Sequence, residues 1–401
     1  MDTLRVRVYN VRFGDGILIS VPDRGLGGTT TLRHILIDVG NSWNKAGGTN
    51  DVYKPVLENI LTELDGKGLD LYVMTHEHMD HVEGLLYADL NVYDGKLKEK
   101  LGVKHSWLTA SSAPDYYDTH PKARELHLQM EQTYQTIASY LMASPEVLPK
   151  GMQTLLDINN LAGTDECVKF LRKLTPEECT HYIHRGMDLT GLHDFQETKF
   201  EIWAPEEDTS VYYAHPLPMA LNFLPAAPAQ GATESPKAEI ITPVPPSGVD
   251  ASAFYQLVEQ RKNGAIDNLM AIDKAENNTS VVFTLEWRGW RLLFAADAEL
   301  RSWQIMQGLE ERVLKPVDFL KVGHHGSNNA TPQPEILDKI LPVPYHRERT
   351  AALSTFIGDS KHPQYHGVPD PNTLDRIKTR CTLKDTRDVD FGKYIDIQFQ
   401  G

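Results

Sequence analysis

Residues 75–81 read Thr-His-Glu-His-Met-Asp-His and come directly after an apolar segment, LDLYVMT, that has the character of a β-strand. Alternate residues of an extended turn point in the same direction, so His76 and His78 can share one metal ion, while Asp80 and His81 on the next turn face a second one. Imidazole and carboxylate ligands suit Zn²⁺ best and also Mn²⁺ or Fe²⁺. The run therefore predicts a site for two divalent metal ions at the carboxyl end of a strand.

The segments around this run alternate between strand and helix patterns. Strands are predicted on both sides of the turn Gly14-Asp15-Gly16 and at 34–41, 69–75, 103–110, 200–208 and 317–323, with a hairpin around Arg288-Gly289 and a last core strand in STFIGDS, 354–360. Helices are predicted at 51–68, 251–262, 299–310, 334–341 and 372–380, and helical spacing also runs from about 121 to 175. This order predicts an α/β fold with its chemistry at the carboxyl ends of strands.

Composition limits the partners and the compartment. With 41% hydrophobic residues the chain can bury a sizeable core, and its net charge of −15 disfavours a long, unspecific grip on nucleic-acid backbones or anionic membranes. No window approaches the eighteen or so consecutive apolar residues that a membrane span requires. Three cysteines without CxxC spacing, and a first segment without a signal-peptide core, make the cytoplasm the expected compartment.

An HxHxDH run after a strand resembles the signature of the metallo-β-lactamase superfamily, and the resemblance implies an αββα sandwich. We expect one domain, 1–401, with a helical insertion at 112–190 and a Pro/Ala-rich loop at 214–250. The resemblance also implies that Asp297, after the segment RLLFAA, bridges the two metals. A strand-end Asp is otherwise a common helix N-cap, which is the alternative interpretation of Asp297.

The run LKVGHHGS, Leu320 to Ser327, resembles the soluble metallo-β-lactamase-like domain of the DNA-uptake protein ComEC and its stand-alone relatives. FGDGILI, ILIDVGN and NNTSVVF (277–283) match the same branch, in which Asp15 and Asp38 occupy positions that support the loops beneath the metals; a plain turn or strand end is the alternative for both residues. These relatives commonly carry Asp where this chain has His78. Residues from about 105 to 240 match nothing in that branch.

The Gly-flanked pair His324-His325 predicts an imidazole close to the metals, and we expect His325 to be the nearer of the two. His325 and Ser327 could stabilise or protonate an anionic group. The superfamily resemblance implies a late histidine on the second metal, for which His362 is favoured over His366. It also implies a third histidine on the first metal: either His325 takes that place or this metal is held more weakly. The histidines between the run and Asp297 follow no clear strand end and are expected at the surface or behind the metal ligands: His105, His120, His127, His181 and His184.

These residues together predict a two-metal hydrolase in which Asp80 is essential and a metal-bridging hydroxide is the nucleophile. The ComEC resemblance implies phosphodiester substrates, either nucleotides or nucleic acids, and so a phosphodiesterase or nuclease. Hydrolysis of a lactone, thioester or amide is the alternative reaction. A non-catalytic metal-binding regulatory module is the alternative class of protein.

Overall fold

The computed structural model describes residues 2–41, 52–143, 161–213, 268, 270–309, 313–330, 332–356 and 368–401. Two β-sheets contain the thirteen strands of this part of the chain. The first sheet has seven strands in the order β13-β1-β2-β3-β4-β5-β6. Its strands are β1 (Thr3–Tyr9), β2 (Gly16–Arg24), β3 (Thr30–Val39), β4 (Leu71–Met74), β5 (His105–Thr109), β6 (Thr180–Ile183) and β13 (Tyr394–Gln400). β13, β1, β2 and β3 pair antiparallel, and β3 to β6 run parallel.

The second sheet has six strands in the order β12-β11-β10-β9-β8-β7. Its strands are β7 (Lys199–Ala204), β8 (Val282–Trp287), β9 (Trp290–Phe294), β10 (Phe319–Lys321), β11 (Thr350–Leu353) and β12 (Thr382–Asp385). β7, β8 and β9 are antiparallel, and β9 to β12 run parallel. In both sheets the parallel strands bring several carboxyl ends to one edge.

Helices connect these strands. They are α1 (Tyr53–Leu64), α2 (Met79–Asn91), α3 (Leu97–Leu101), α4 (Tyr116–Thr119), α5 (Pro121–Ala143), α6 (Leu161–Leu171), α7 (Leu300–Gly308), α8 (Pro334–Ile340) and α9 (Pro371–Lys378). A further helical segment covers residues 270–278 and leads into β8.

Alternation along the strands divides the core into layers. In β2, Ile17 and Ile19 face the second sheet, and together with residues such as Phe283 they form the core between the sheets. Leu18, between them in sequence, packs under α1 and α2 with residues such as Val56. Because successive side chains of a strand point to opposite faces, each sheet needs an apolar layer on both sides.

The second sheet is covered on its outer face in the same way. Leu293 and Leu320 pack against Trp303 of α7 and Ile336 of α8, and all four are buried. The order of layers is helix, sheet, sheet, helix. The αββα sandwich predicted from the sequence is confirmed.

Most predicted elements lie where the sequence places them, but the end of the chain differs. The prediction of STFIGDS as the last core strand is wrong: β11 ends at Leu353, residues 354–356 are not in a strand, and β12 and β13 follow; residues 357–360 lie outside the described residues. β13 was not predicted, and its partner β1 lies almost the whole chain away, with Thr3 opposite Gln400.

Two predicted regions lie partly or wholly outside the described residues. The Pro/Ala-rich loop at 214–250 and the predicted helix at 251–262 lie outside the described residues. Helices α4, α5 and α6 lie between β5 and β6, where the insertion is predicted. The division of the chain at 112–190 stays a prediction.

Among the helices described, none combines the length and apolar character needed to cross a membrane.

Candidate metal centre

The predicted ligands follow the carboxyl ends of strands from both sheets. His76 and His78 follow β4, Asp80 and His81 begin α2, Asp297 follows β9, and His325 follows β10. All six residues are buried, with relative exposures of 2% or less. Since parallel strands end at one edge, residues far apart in the sequence meet there.

The turn that carries Asp80 is packed tightly between backbones. The Asp15 amide donates to the Asp80 carbonyl at 3.1 Å. A Cβ atom on Gly40 would lie 2.2 Å from the Asp80 carbonyl carbon, and one on Gly14 would lie 2.6 Å from the Asp80 oxygen. Both positions therefore require glycine for close approach. The glycines of FGDGILI and ILIDVGN support the metal-binding turn through this contact.

Four strand-end residues around the cluster have a left-handed backbone. The φ angles are 47° for Asp38, 46° for Ala296, 42° for His324 and 53° for His325. Non-glycine residues in this region cost about 1–3 kcal/mol each, and such residues concentrate at functional sites. The strain lies at the residues that aim the predicted ligands.

Asp80, His81, Asp297 and His325 form one buried group. One ligand atom from each lies within 4.8 Å of the others. His325 Nε2 is 3.1 Å from Asp80 Oδ2, and His81 Nε2 is 3.3 Å from Asp297 Oδ2. The structure thus brings His325 to the residues predicted for the second metal.

Hydrogen bonds made by Nδ1, while Nε2 faces the carboxylates, orient two of these imidazoles. His81 Nδ1 lies 2.8 Å from Asp38 Oδ2, and His325 Nδ1 lies 3.0 Å from the carbonyl oxygen of Ser354. Both acceptors require a proton on Nδ1, so Nε2 of each ring faces the carboxylates and, when the ring is neutral, offers its lone pair to a metal. Asp38 is itself fixed by Thr75, whose amide and hydroxyl donate to it at 2.9 and 2.6 Å.

His76 and His78 lie beside this group. The ring of His76 is 4.2 Å from that of His81 and 4.8 Å from that of His78, centroid to centroid. His76 Nδ1 is 3.1 Å from the Thr75 hydroxyl, and its Nε2 is buried without a hydrogen-bond partner. His78 Nε2 instead lies 2.9 Å from Oε2 of Glu276, a residue that the sequence analysis did not select.

The polar residues of the HHGS turn, His324 to Ser327, differ in their contacts and burial. The His324 amide donates to Asp297 Oδ1 at 3.1 Å, and the His324 ring lies 3.5 Å from Glu299 Oε1. Its side chain is 13% exposed, whereas that of His325 is fully buried. The Ser327 hydroxyl donates to Asn329. The role predicted for Ser327 stays a prediction.

The ionisable groups of the cluster shift one another. Burial alone would raise the pKa of Asp297, but His81, His324 and His325 hold it well below its usual range. Burial lowers the pKa of His81, yet Asp297 and Asp80 outweigh this and raise it well above its usual value. Burial, with His81 and His78 beside it, lowers the pKa of His76 well below its usual value, and Asp297 opposes this shift only in part. Protonated imidazoles balance the buried carboxylates in the absence of another cation.

The donor set fits a divalent metal. His76 Nε2, His81 Nε2 and Asp80 Oδ1 are buried polar atoms without hydrogen-bond partners, and Asp80 and His81 belong with Asp297 to the buried group. Such atoms are costly to bury unless a partner such as a metal satisfies them. Nitrogen and oxygen donors without sulfur match Zn²⁺, Mn²⁺ or Fe²⁺.

The other predicted histidines do not join the cluster. His105 and His181 stack on each other, with ring centroids 5.7 Å apart, near the amino ends of β5 and β6. His120 stacks on Tyr116, and His127 stacks on Tyr117. His184 hydrogen-bonds the carbonyl of Arg185. Both candidates for the late ligand, His362 and His366, lie outside the described residues.

No protein-family model and no curated protein matches this chain. Among solved structures, the crystal structure of a long form RNase Z from yeast aligns with 98% of this chain and 41% of that chain, at 10% sequence identity and a TM-score of 0.33. The chain therefore spans less than half the length of that structure. A TM-score this low carries no argument about activity.

Proposed function

We propose that this protein is a metal-dependent hydrolase that cleaves phosphodiesters of nucleotides or nucleic acids with two divalent metal ions. The observation that carries the proposal is the buried group of Asp80, His81, Asp297 and His325 at the carboxyl ends of strands. A purely structural metal site would be expected to close its coordination with protein ligands and to leave no open position for a substrate.

In this proposal His76 and His78 hold the first metal, and Asp80, His81 and His325 hold the second. Asp297, whose Oδ2 lies 3.3 Å from His81 Nε2, is the carboxylate proposed to serve both metals. His325 is assigned to the second metal because its Nε2 lies 3.1 Å from Asp80 Oδ2. His362 remains a proposed further ligand of the second metal.

Bound metals supply a water of lowered pKa as nucleophile and neutralise charge on the group under attack. Asp38 and the Ser354 carbonyl would orient the His81 and His325 rings toward these metals. Full burial and the hydrogen bond from Nδ1 to the Ser354 carbonyl make His325 a better ligand, through Nε2, than proton donor. The partly exposed His324, beside Asp297, is placed to donate a proton to a leaving group.

Charge restricts the substrate. A net charge of −15 repels long polynucleotides, while two divalent ions make the site locally positive. A nucleotide or a single strand that reaches the metals by its scissile phosphate satisfies both conditions. This balance favours small or single-stranded phosphodiesters over long duplexes.

The experiment measures hydrolysis of bis(p-nitrophenyl) phosphate by metal-free protein reconstituted with Zn²⁺ or with Mn²⁺. We expect metal-dependent cleavage that Asp80→Ala abolishes without loss of the fold. Asp118→Ala, at a carboxylate that is 75% exposed, is the control and should retain full activity.

Lactone, thioester and amide substrates are tested in parallel. Turnover of one of these with no phosphodiester cleavage would replace the proposal with a carbonyl hydrolase. Metal binding without any turnover would favour a regulatory module, and so would unfolding of Asp80→Ala, since a structural metal supports the fold itself.

A further inference from the structure

Glu276 is an acidic residue outside the HxHxDH run that contacts His78 of the predicted first metal site. It lies in the helical segment 270–278, and its carboxylate is 2.9 Å from His78 Nε2. The His78 side chain is 3% exposed and that of Glu276 is 20% exposed. The contact joins residues 198 positions apart in the sequence.

This contact decides which nitrogen of His78 can bind a metal. An imidazole has two ring nitrogens, and a proton on Nε2 is needed for the hydrogen bond to the carboxylate. Only Nδ1 then carries a free lone pair. A carboxylate behind a histidine ligand fixes its tautomer and ring orientation in this manner.

The backbone that carries Glu276 is anchored on the same cluster. Its carbonyl accepts hydrogen bonds from the amide and hydroxyl of Thr279, at 2.9 and 2.7 Å. Ser280 Oγ accepts from the Asp297 amide at 3.2 Å, and the Val281 amide donates to the Thr75 carbonyl at 2.9 Å. One short segment therefore holds both the partner of His78 and the proposed bridging carboxylate.

The asparagines of this segment connect it to the helix that follows Asp297. Asn278 Oδ1 accepts from the amides of Glu299 and Ser302, at 3.2 and 2.9 Å. Asn277 donates to Glu299 Oε1 at 3.0 Å, and Glu299 faces His324. These bonds restrict the position of Glu276 relative to His78.

We propose that Glu276 is a positioning residue that holds His78 with Nδ1 toward the first metal. It compensates for the absence of a third histidine among the described residues at that metal. The inference rests on the metal centre of the proposed function, but it concerns metal binding and not the substrate.

The test counts and titrates metal ions on the full-length chain, using Zn²⁺ competition with a chromophoric chelator and the visible spectrum of the Co²⁺-loaded protein. Three variants separate the effect of the length of the Glu276 side chain from the effect of its charge. Glu276→Ala removes both, Glu276→Asp keeps the charge but shortens the side chain by one methylene, and Glu276→Gln keeps an acceptor oxygen at the original reach.

We expect Glu276→Ala and Glu276→Asp to bind the first metal about 10–100-fold more weakly, while the second metal stays bound. Glu276→Gln should retain two metals with affinities close to those of the wild type. The retained second metal shows that each variant is folded.

Glu131→Ala is the matched control, because Glu131 lines the same small cavity as Glu276 and its carboxylate bonds Gln135. It should bind both metals normally. Wild-type affinity in both Glu276→Ala and Glu276→Asp would overturn the proposal, and so would an equal loss in Glu131→Ala, which would indicate a general effect of charge. Two bound metals without phosphodiester cleavage would overturn the proposed function alone.

Discussion

Asp38 shows how much one side chain contributes to the candidate centre. It is fully buried, has a left-handed backbone, and accepts hydrogen bonds from the Thr75 amide, the Thr75 hydroxyl and the His81 ring. Burial raises the pKa of Asp38, and the contacts with His81 and Thr75 oppose that shift. Its three donors all require an acceptor, which an ionised carboxylate provides.

Replacing Asp38 with Asn tests this arrangement. One arm of the amide is a donor and would face a donor from Thr75 or His81, so the His81 ring should lose its orientation. We expect the affinity for the second metal to fall about 10–100-fold, measured by chelator competition. An unchanged affinity would show that His81 needs no support from Asp38.

Asp23→Asn is the matched control for that substitution. Asp23 is also buried and accepts from the amides of Gln196, Glu197 and Thr198. It lies near the far end of β2, about 23 Å along the strand from Gly16, where β2 begins beside the candidate metal centre. The control should lower the free energy of unfolding and leave metal affinity unchanged.

At the scale of elements, a buried ion pair joins the turn before β2 to strand β10. Lys321 Nζ lies 2.7 Å from Asp15 Oδ2, and the two side chains are 1% and 3% exposed. The Asp15 amide holds Asp80, and Lys321 precedes the HHGS turn. The pair thus ties the turn that supports Asp80 to the strand of the other sheet that leads into His325.

Lys321→Met should destabilise the metal-free protein by about 3–5 kcal/mol, because it leaves the Asp15 carboxylate buried without its cation. Adding Asp15→Asn removes that charge and should recover part of the loss. Urea unfolding of the four proteins of the cycle gives the coupling free energy. Strictly additive effects would contradict a direct interaction.

The edge of the first sheet provides a second test at this scale. Burial lowers the pKa of His181 and of His193, and the nearby His105 lowers both further. Asp194 lies 3.5 Å from His105 Nε2 and 3.9 Å from Arg33. Asp23 and Asp194 oppose the shift of His193 only in part.

The sign of the pH dependence follows from these shifts. Below a pH of about 6.5 the unfolded chain takes up protons that these two folded histidines resist, so stability falls as the pH is lowered, and above that value these two groups leave it unchanged. Hydrogen-exchange protection factors of β6 amides in metal-free protein, which correct for the slower chemical exchange at low pH, should decrease between about pH 7 and 5. His181→Gln should reduce that decrease, and an equal response in this variant would exclude His181 as its source.

At the scale of the whole molecule, the centre is assembled across the sandwich. β4 belongs to the first sheet, whereas β9 and β10 belong to the second. Each sheet is supported by its own helices, so the strand edges are already fixed when a metal binds. A metal held by residues from both sheets should therefore stabilise the entire fold.

Metal removal tests this expectation. At a free Zn²⁺ concentration 100 times the dissociation constant, one site adds about 2.7 kcal/mol to the free energy of unfolding. Thermal melts should show a higher Tm for the Zn²⁺-loaded protein than for the chelator-treated one. Asp80→Ala should lose most of the increase; no increase in the wild type would mean that the site does not bind Zn²⁺ in the folded state.

The sequence by itself predicted the α/β character of the fold and the HxHxDH run, whereas the sandwich and the place of Asp297 came from the resemblance to the metallo-β-lactamase superfamily. Apolar residues that recur at every second position indicate strands, and those that recur at about every fourth indicate helices. The spacing from His76 to His81 is a local property of the sequence and needs no knowledge of the fold. The same holds for the hairpin around Gly289 and for the glycines beside Asp15.

Only the tertiary structure decided which distant residues meet. The contact of Glu276 with His78, the pairing of Lys321 with Asp15, and the position of His325 beside Asp80 join segments about 200 to 300 residues apart. The order of strands and the twist of the sheets set these contacts, and no local pattern encodes them. β13 was missed for the same reason, since its place beside β1 exists only after the chain has closed on itself.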